Sequence, residues 1–292
     1  MTDKIILLSL AVFPVMVLAF FVYRKDKFEK EPMRMLLKAF LFGCLSVLPA
    51  VLLESTLSAA YLLYGGASLP GVVAGLYNGY VVAGCSEELS KLLLLALAVW
   101  RSRYFDEYFD GIVYATFVSL GFAGLENIMY VFNQETFTSA VMTGTMRAVL
   151  SVPGHFLFGV AMGYYFALAK FQRERRGRCL LMAFLVPMLL HGTFDAILMV
   201  PESMGEQGQW LSMLLLPVFI FFDVKLWKAG LHKLNHLQEL SRLQQEGIDP
   251  SSTDGGQGYS GGPDSGWNGS SYSDSAGSSS SGDTFSGFNW NV

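Results

Sequence analysis

The chain alternates long apolar stretches with short polar connections. Apolar runs occupy residues 5–23, 35–53, 72–99, 111–133, 149–169, 179–200 and 210–228. A helix needs about 20 residues to cross roughly 30 Å of hydrocarbon, so the pattern predicts seven spanning helices. The segment 55–65 is too short to span alone; it either extends the second helix or lies at the interface. The first run reads as a retained helix rather than a cleaved signal. It is long, no Ala-x-Ala site follows it, and a basic cluster does. The expected fold is therefore all-α, a polytopic transmembrane helix bundle of about seven spans.

The pattern changes after the last run. Leucines at 231, 234, 237, 240 and 243 predict a short amphipathic helix over 231–246. Residues 251–292 contain 13 Ser and 10 Gly and no Lys or Arg. Such a stretch buries too little apolar surface to offset its ordering entropy, which predicts disorder. Three parts follow: a membrane domain over 1–230, the short helix over 231–246, and a disordered Gly/Ser-rich tail over 247–292.

Composition supports the same picture. Of 292 residues, 52% are hydrophobic and only 15% charged, too apolar for an ordinary soluble domain. The net charge of -4 gives no reason to expect a nucleic-acid partner. Cys44 and Cys85 lie in apolar runs and Cys179 beside a basic cluster, which argues against a disulfide framework. The positions of the basic residues carry more information than their sum. Clusters lie at 24–38, 101–103, 170–178 and 225–242, and hold 17 of the 20 Lys and Arg. They fall at alternate connections, so the basic side is expected to be cytoplasmic, with the N-terminus outside and the C-terminus inside.

Ionisable residues within the spans are costly in lipid and are functional candidates by default. Glu87, Glu88 and Lys91 lie in the third run, Glu126 beside Asn127 in the fourth, His155 in the fifth, and His191 and Asp195 in the sixth. Counted from the helix ends, the acids and imidazoles fall in one slab from mid-membrane outward, which predicts one shared site. Glu87 and Glu88 are four and three residues from Lys91, and either reaches its ammonium. They point about 100° apart, so one is expected to pair while the other faces a cavity. His191 and Asp195 are one turn apart, a spacing that lets a carboxylate fix an imidazole tautomer. Each feature has a plainer reading as well: a structural ion pair, a helix cap at His155, or an interhelical bond from Glu126. Glycines at 121, 124, 154, 159, 163 and 192 favour close helix packing around the same level.

Taken together these residues resemble a known family. Glu87-Glu88-x-x-Lys91 resembles the EExxK motif of PrsW intramembrane proteases, Phe122-x-x-x-Glu126 their FxxxE motif, and His191-x-x-x-Asp195 their HxxxD motif. The stretches DKFEKEP at 26–32 and FDGIVYATFVSLGFAGLENIMY at 109–130 agree as well. The similarity covers roughly residues 20–200, with its motifs in order. The related CAAX prenyl protease and Abi group carries His where this chain has Glu126. The resemblance implies hydrolysis of a peptide bond in a membrane-anchored protein, in a bacterial cytoplasmic membrane. Cleavage of an anti-sigma factor is a family theme.

The expected chemistry is a water activated by Glu87 or Glu88. His191, oriented by Asp195, assists; Glu126 and His155 complete the pocket, and Lys91 keeps a carboxylate ionised. No cofactor is expected. Zinc is the alternative, since Glu and His are suitable ligands, but there is no HExxH and a metal-free glutamate mechanism is preferred. Two other classes compete: a proton-coupled transporter and a non-catalytic membrane scaffold. No inverted repeat supports the first. The oligomeric state is open.

Overall fold

The computed structural model describes residues 2–248. Among these every regular element is helical. The helices are α1 (Thr2–Lys25), α2 (Met33–Leu63), α3 (Gly71–Tyr77), α4 (Ser86–Val99), α5 (Tyr108–Phe132), α6 (Phe137–Met146), α7 (Val152–Phe171), α8 (Arg176–Ser203) and α9 (Gly208–Gln245). Wider π-helical turns over Asn78–Cys85 and Arg147–Ser151 join α3 to α4 and α6 to α7 without a break. Seven continuous helical runs result.

Six of these runs are long and apolar enough to cross a membrane. The remaining one, 71–99, contains Glu87, Glu88 and Lys91, and these charges are what separate it from the others. The segment 55–63 extends α2. The fifth run begins twelve residues before the expected 149, because Thr136 caps α6: its Oγ1 accepts the Ser139 N–H at 3.1 Å. The polar Thr and Gly content of 137–146 hid this helix from a hydropathy pattern. The tail assigned to 247–292 lies, from residue 249 on, outside the described residues.

The two central runs are α5 and α6–α7, buried over 72% and 78% of their apolar windows, against 22% for α1 and 11% for α9. Packing of α5 on α7 and α2 dominates the core. These helices approach to backbone contact. A Cβ on Gly163 would fall on the Gly111 carbonyl, so only glycine fits. On the other side, a Cβ on Gly79 would stand 2.8 Å from the Ala196 N–H, which lets the π turn lie flat against α8.

The basic connections share one end. Lys38 Nζ donates to the Ala98 carbonyl at 2.7 Å and Lys170 Nζ to the Trp100 carbonyl at 2.8 Å. The 38 residues of α9 span about 57 Å, well beyond a hydrocarbon core of roughly 30 Å. Its far end folds against this basic face. Leu234, Leu237 and Leu240 enter the core, Ser241 Oγ accepts the Phe109 N–H at 2.9 Å, and Gln245 donates to Glu107 at 2.5 Å. Nearby, Asp26 and Glu31 are buried in the α1–α2 connection. Tyr114 OH donates to Glu31, and Asp26 Oδ2 accepts the Glu31 N–H at 3.3 Å.

Burial pushes the Asp26 carboxyl from its ordinary 3.8 up to about 6, against the Glu31 hydrogen bond that favours the anion. Burial raises Glu31 in the same direction. The folded chain holds these protons more tightly than the unfolded chain. The contribution is full below the ordinary carboxylate range and is lost as pH rises through about 6. Melting in detergent is expected at a lower temperature at pH 8 than at pH 5, and Asp26→Asn is expected to shrink that difference; an unchanged difference would remove Asp26 from the account.

Candidate active site

The cluster is built around Lys91. Its position on α4 points it into the bundle, where its ammonium is fully buried. An ammonium has three protons, and in hydrocarbon each needs an acceptor. Glu88 Oε1 lies at 2.7 Å, Glu87 Oε2 at 3.1 Å and His155 Nδ1 at 3.1 Å. The Phe122 ring stands beneath, its centroid 4.2 Å from Nζ. Both glutamates therefore pair with the lysine. The expectation that one would face a cavity fails, because the long lysine side chain places Nζ between two carboxylates that diverge around the helix.

Two arms extend from this centre. Along one, His191 Nδ1 is 2.8 Å from Glu88 Oε1, and its Nε2 is 3.3 Å from Asp195 Oδ2. The Phe158 ring stacks on the imidazole at 4.8 Å and 20°. Both ring nitrogens of His191 thus face carboxylate oxygens. With Asp195 ionised, the Glu88–His191 pair must hold one proton more than a neutral imidazole beside a carboxylate. Glu88 Oε2 is buried and has no hydrogen-bond partner among the described residues.

Along the other arm, His155 Nε2 lies 3.0 Å from Glu126 Oε2, which Arg147 reaches at 2.5 Å. With its Nδ1 accepting from Lys91, His155 donates from Nε2, so its tautomer is set from both sides. Arg147 Nε donates to Asn127 Oδ1 at 3.0 Å, and its guanidinium lies 4.1 Å from the Tyr130 ring centre. Asn127 Nδ2 in turn donates to the Ala11 carbonyl at 2.9 Å, tying α1 to the cluster. The side chains of Glu126 and Asp195 are 15% exposed where those of Glu88 and Lys91 are fully buried, so the site opens towards Glu126 and Asp195.

All seven residues singled out in the sequence, Glu87, Glu88, Lys91, Glu126, His155, His191 and Asp195, belong to this one network. Arg147, which joins the network through Glu126 and Asn127, was not among them. Its signal was its isolation, since it is the lone basic residue in its stretch away from the basic clusters. Phe158 and Tyr130 had no signal beyond being aromatic. Each π turn ends just before site residues: the first before Glu87, the second before His155. Such widened turns often accompany functional sites, and here they aim side chains that a regular helix would rotate elsewhere.

The same atoms bear on metal binding. One ligand atom from each of Glu87, Glu88, His155 and His191 lies within 4.8 Å of the others. Two carboxylates and two imidazoles suit a zinc-type dication. The donor chemistry fits, although Lys91 Nζ already contacts three of the four groups.

Comparison with known proteins finds matches along most of the chain. Residues 31–223 match the model of a family described as PrsW family intramembrane metalloprotease. The chain is 37% identical over 241 residues to Protease PrsW of Clostridioides difficile (strain 630), covering 82% of this chain and 94% of that protein. It is 36% identical to Protease PrsW of Geobacillus kaustophilus (strain HTA426), covering 82% and 95%. Its identity to Protease PrsW of Bacillus subtilis (strain 168) is 33%, covering 82% and 98%. No solved structure matches.

Removing one partner of a buried ion pair costs about 3–5 kcal/mol, whereas replacing the whole set by neutral groups costs far less. Lys91→Met is expected to lower the melting temperature sharply or prevent accumulation. Adding Glu87→Gln and Glu88→Gln to it is expected to restore much of the loss. No recovery in the triple variant would mean that Lys91 is not held by these charges.

Proposed function

We propose, since the chain belongs to the PrsW family of intramembrane proteases, that Glu88 is the base that activates water for cleavage of a membrane-anchored protein. The observation that carries this reading is the division of labour within one carboxylate. Glu88 Oε1 is held by Lys91 and His191, while Oε2 is buried and unpartnered. Oε2 is thus the acceptor for a proton from water. The water oxygen attacks the substrate carbonyl carbon as Glu88 Oε2 takes its proton. As the C–N bond breaks, His191, which already carries the pair's extra proton, gives it to the amine nitrogen, and the proton on Glu88, 2.8 Å away, then restores the imidazolium. Asp195 holds the imidazole oriented and stabilises its charged form. Lys91 keeps Glu87 and Glu88 together, and Arg147 with Glu126 holds His155 in the tautomer that accepts from Lys91. Membership of the family sets aside the carrier reading.

Glu87, Glu88, His155 and His191 are the residues that would hold a metal. A bound zinc-type ion lowers the pKa of its water and polarises a carbonyl. Lys91 competes for the same oxygens, which is the reason for keeping the metal-free mechanism as the proposal. The substrate class is a single-pass membrane protein cut in the half of the bilayer away from the basic end. An anti-sigma factor is the member of that class to which the family resemblance points. The basic end is proposed to be cytoplasmic.

Glu88→Gln and His191→Ala are expected to abolish cleavage per folded molecule while the protein still purifies as one species. Asp195→Asn is expected to be milder. Cleavage is expected to survive chelation, with little zinc in the purified protein. Wild-type rates in both Glu88→Gln and His191→Ala would end the base assignment. Loss of activity on chelation, with recovery on adding zinc, would assign the four donors to a metal instead. For topology, a reporter fused after residue 232 is expected to read cytoplasmic and one in the 202–208 connection to read outside. The same side for both would overturn the orientation.

A further inference from the structure

The connection between α7 and α8 carries five cations in nine residues, Lys170, Arg173, Arg175, Arg176 and Arg178. Four of them divide into two sets. Lys170 and Arg176 engage Trp100: Lys170 donates to its carbonyl at 2.8 Å, and the Arg176 guanidinium stands 5.7 Å from its ring centre. Arg175 and Arg178 instead rim a cavity of about 200 Å³ between α7 and α8. Its floor is apolar, made by Tyr165, Leu168 and Met182, with Gln172 at the edge. Cys179 lines the same cavity beside them. Outside the cavity, Lys233 Nζ stands 3.9 Å from the Tyr164 ring centre and 4.6 Å from that of Tyr165. The amino-terminal end of α8 contributes partial positive charge at the same level.

We propose that this groove binds an anionic phospholipid. Its phosphate sits between Arg175 and Arg178, and one acyl chain runs along Leu168 and Met182. Guanidinium groups match a phosphate with paired hydrogen bonds. Basic pockets between helices near a membrane surface are suited to such headgroups. The apolar floor distinguishes a lipid from a free anion, which gains nothing from Leu168 or Met182. Half-exposed Tyr165, Leu168 and Met182 open the groove to the side of the bundle, where a lipid chain arrives. The site is separate from the Glu88 cluster and does not depend on the chemistry proposed there.

The test uses the full chain, purified in detergent and stripped of lipid, with native mass spectrometry after adding dioleoylphosphatidylglycerol or dioleoylphosphatidylcholine. The phosphatidylglycerol adduct is expected to be retained preferentially. Each surface arginine contributes roughly fivefold to such binding, so the Arg175→Gln, Arg178→Gln pair is expected to lower retention by roughly 25-fold, towards the phosphatidylcholine level. Met182→Trp, which fills the floor without changing charge, is expected to lower it too. The charge-matched Arg24→Gln, Arg101→Gln pair is expected to leave it unchanged. Equal loss in that control pair, or full retention in both groove variants, would overturn the proposal. Displacement of the lipid by millimolar inorganic phosphate would show an anion site and would overturn the lipid assignment.

Discussion

The buried ammonium of Lys91 is the constraint on which the rest of the site depends. A lysine in the middle of an apolar bundle is tolerated only where three acceptors meet it, and one helix cannot supply three. Two come from its own helix, Glu87 and Glu88. The third, His155, comes from α7, and the ring below it from α5. Satisfying one side chain therefore fixes three helices against one another. The two remaining cationic groups of that neighbourhood, His191 and Arg147, then follow from the need to balance carboxylates held largely away from solvent. A charge network of this kind contributes little net stability compared with a well-packed apolar core. Its cost in lipid makes sense where the charges perform chemistry.

Much of the bundle was legible because lipid imposes a simple rule on sequence. Runs of apolar residues with basic clusters at alternate connections define helices and ends with little ambiguity. The cluster was legible for a related reason. Polar residues are so rare inside the spans that counting their depth sufficed to place Glu126, His155 and His191 near Glu88. What stayed hidden needed geometry. Helix periodicity set Glu87 and Glu88 about 100° apart but said nothing of how far the Lys91 side chain reaches between them. The α6 helix was invisible because its Thr and Gly residues resemble a connection. Arg147 was visible as a residue but not as a partner, since nothing local linked position 147 to 126.

The basic end shows a different logic. There the acidic residues Asp26, Glu31 and Glu107 are buried, and the end of α9 covers Glu107. Tyr114 joins that knot to α5, and eight residues further along α5 is Phe122, under Lys91. One rigid helix thus connects the covered carboxyls of one end to the charge network nearer the other. Glycine contacts between α5 and α7 hold it to its neighbour at backbone distance, leaving little room for the helix to shift alone.

The order of the partners along the chain bears on how such a protein is made. Glu88 is translated 103 residues before His191, and Lys91 precedes His155 by 64. At about 5–20 residues per second, the charged helix waits several seconds for groups that do not yet exist. Three charges make its solitary entry into lipid unfavourable, since each costs roughly 2.5–3.5 kcal/mol at a helix centre. Between its synthesis and that of α8, the segment has to stay in the water-filled insertion machinery or against the surface of α2. Biogenesis of this chain is therefore a cooperative event completed near its carboxyl end, and the residues that make the site are also those that delay its assembly.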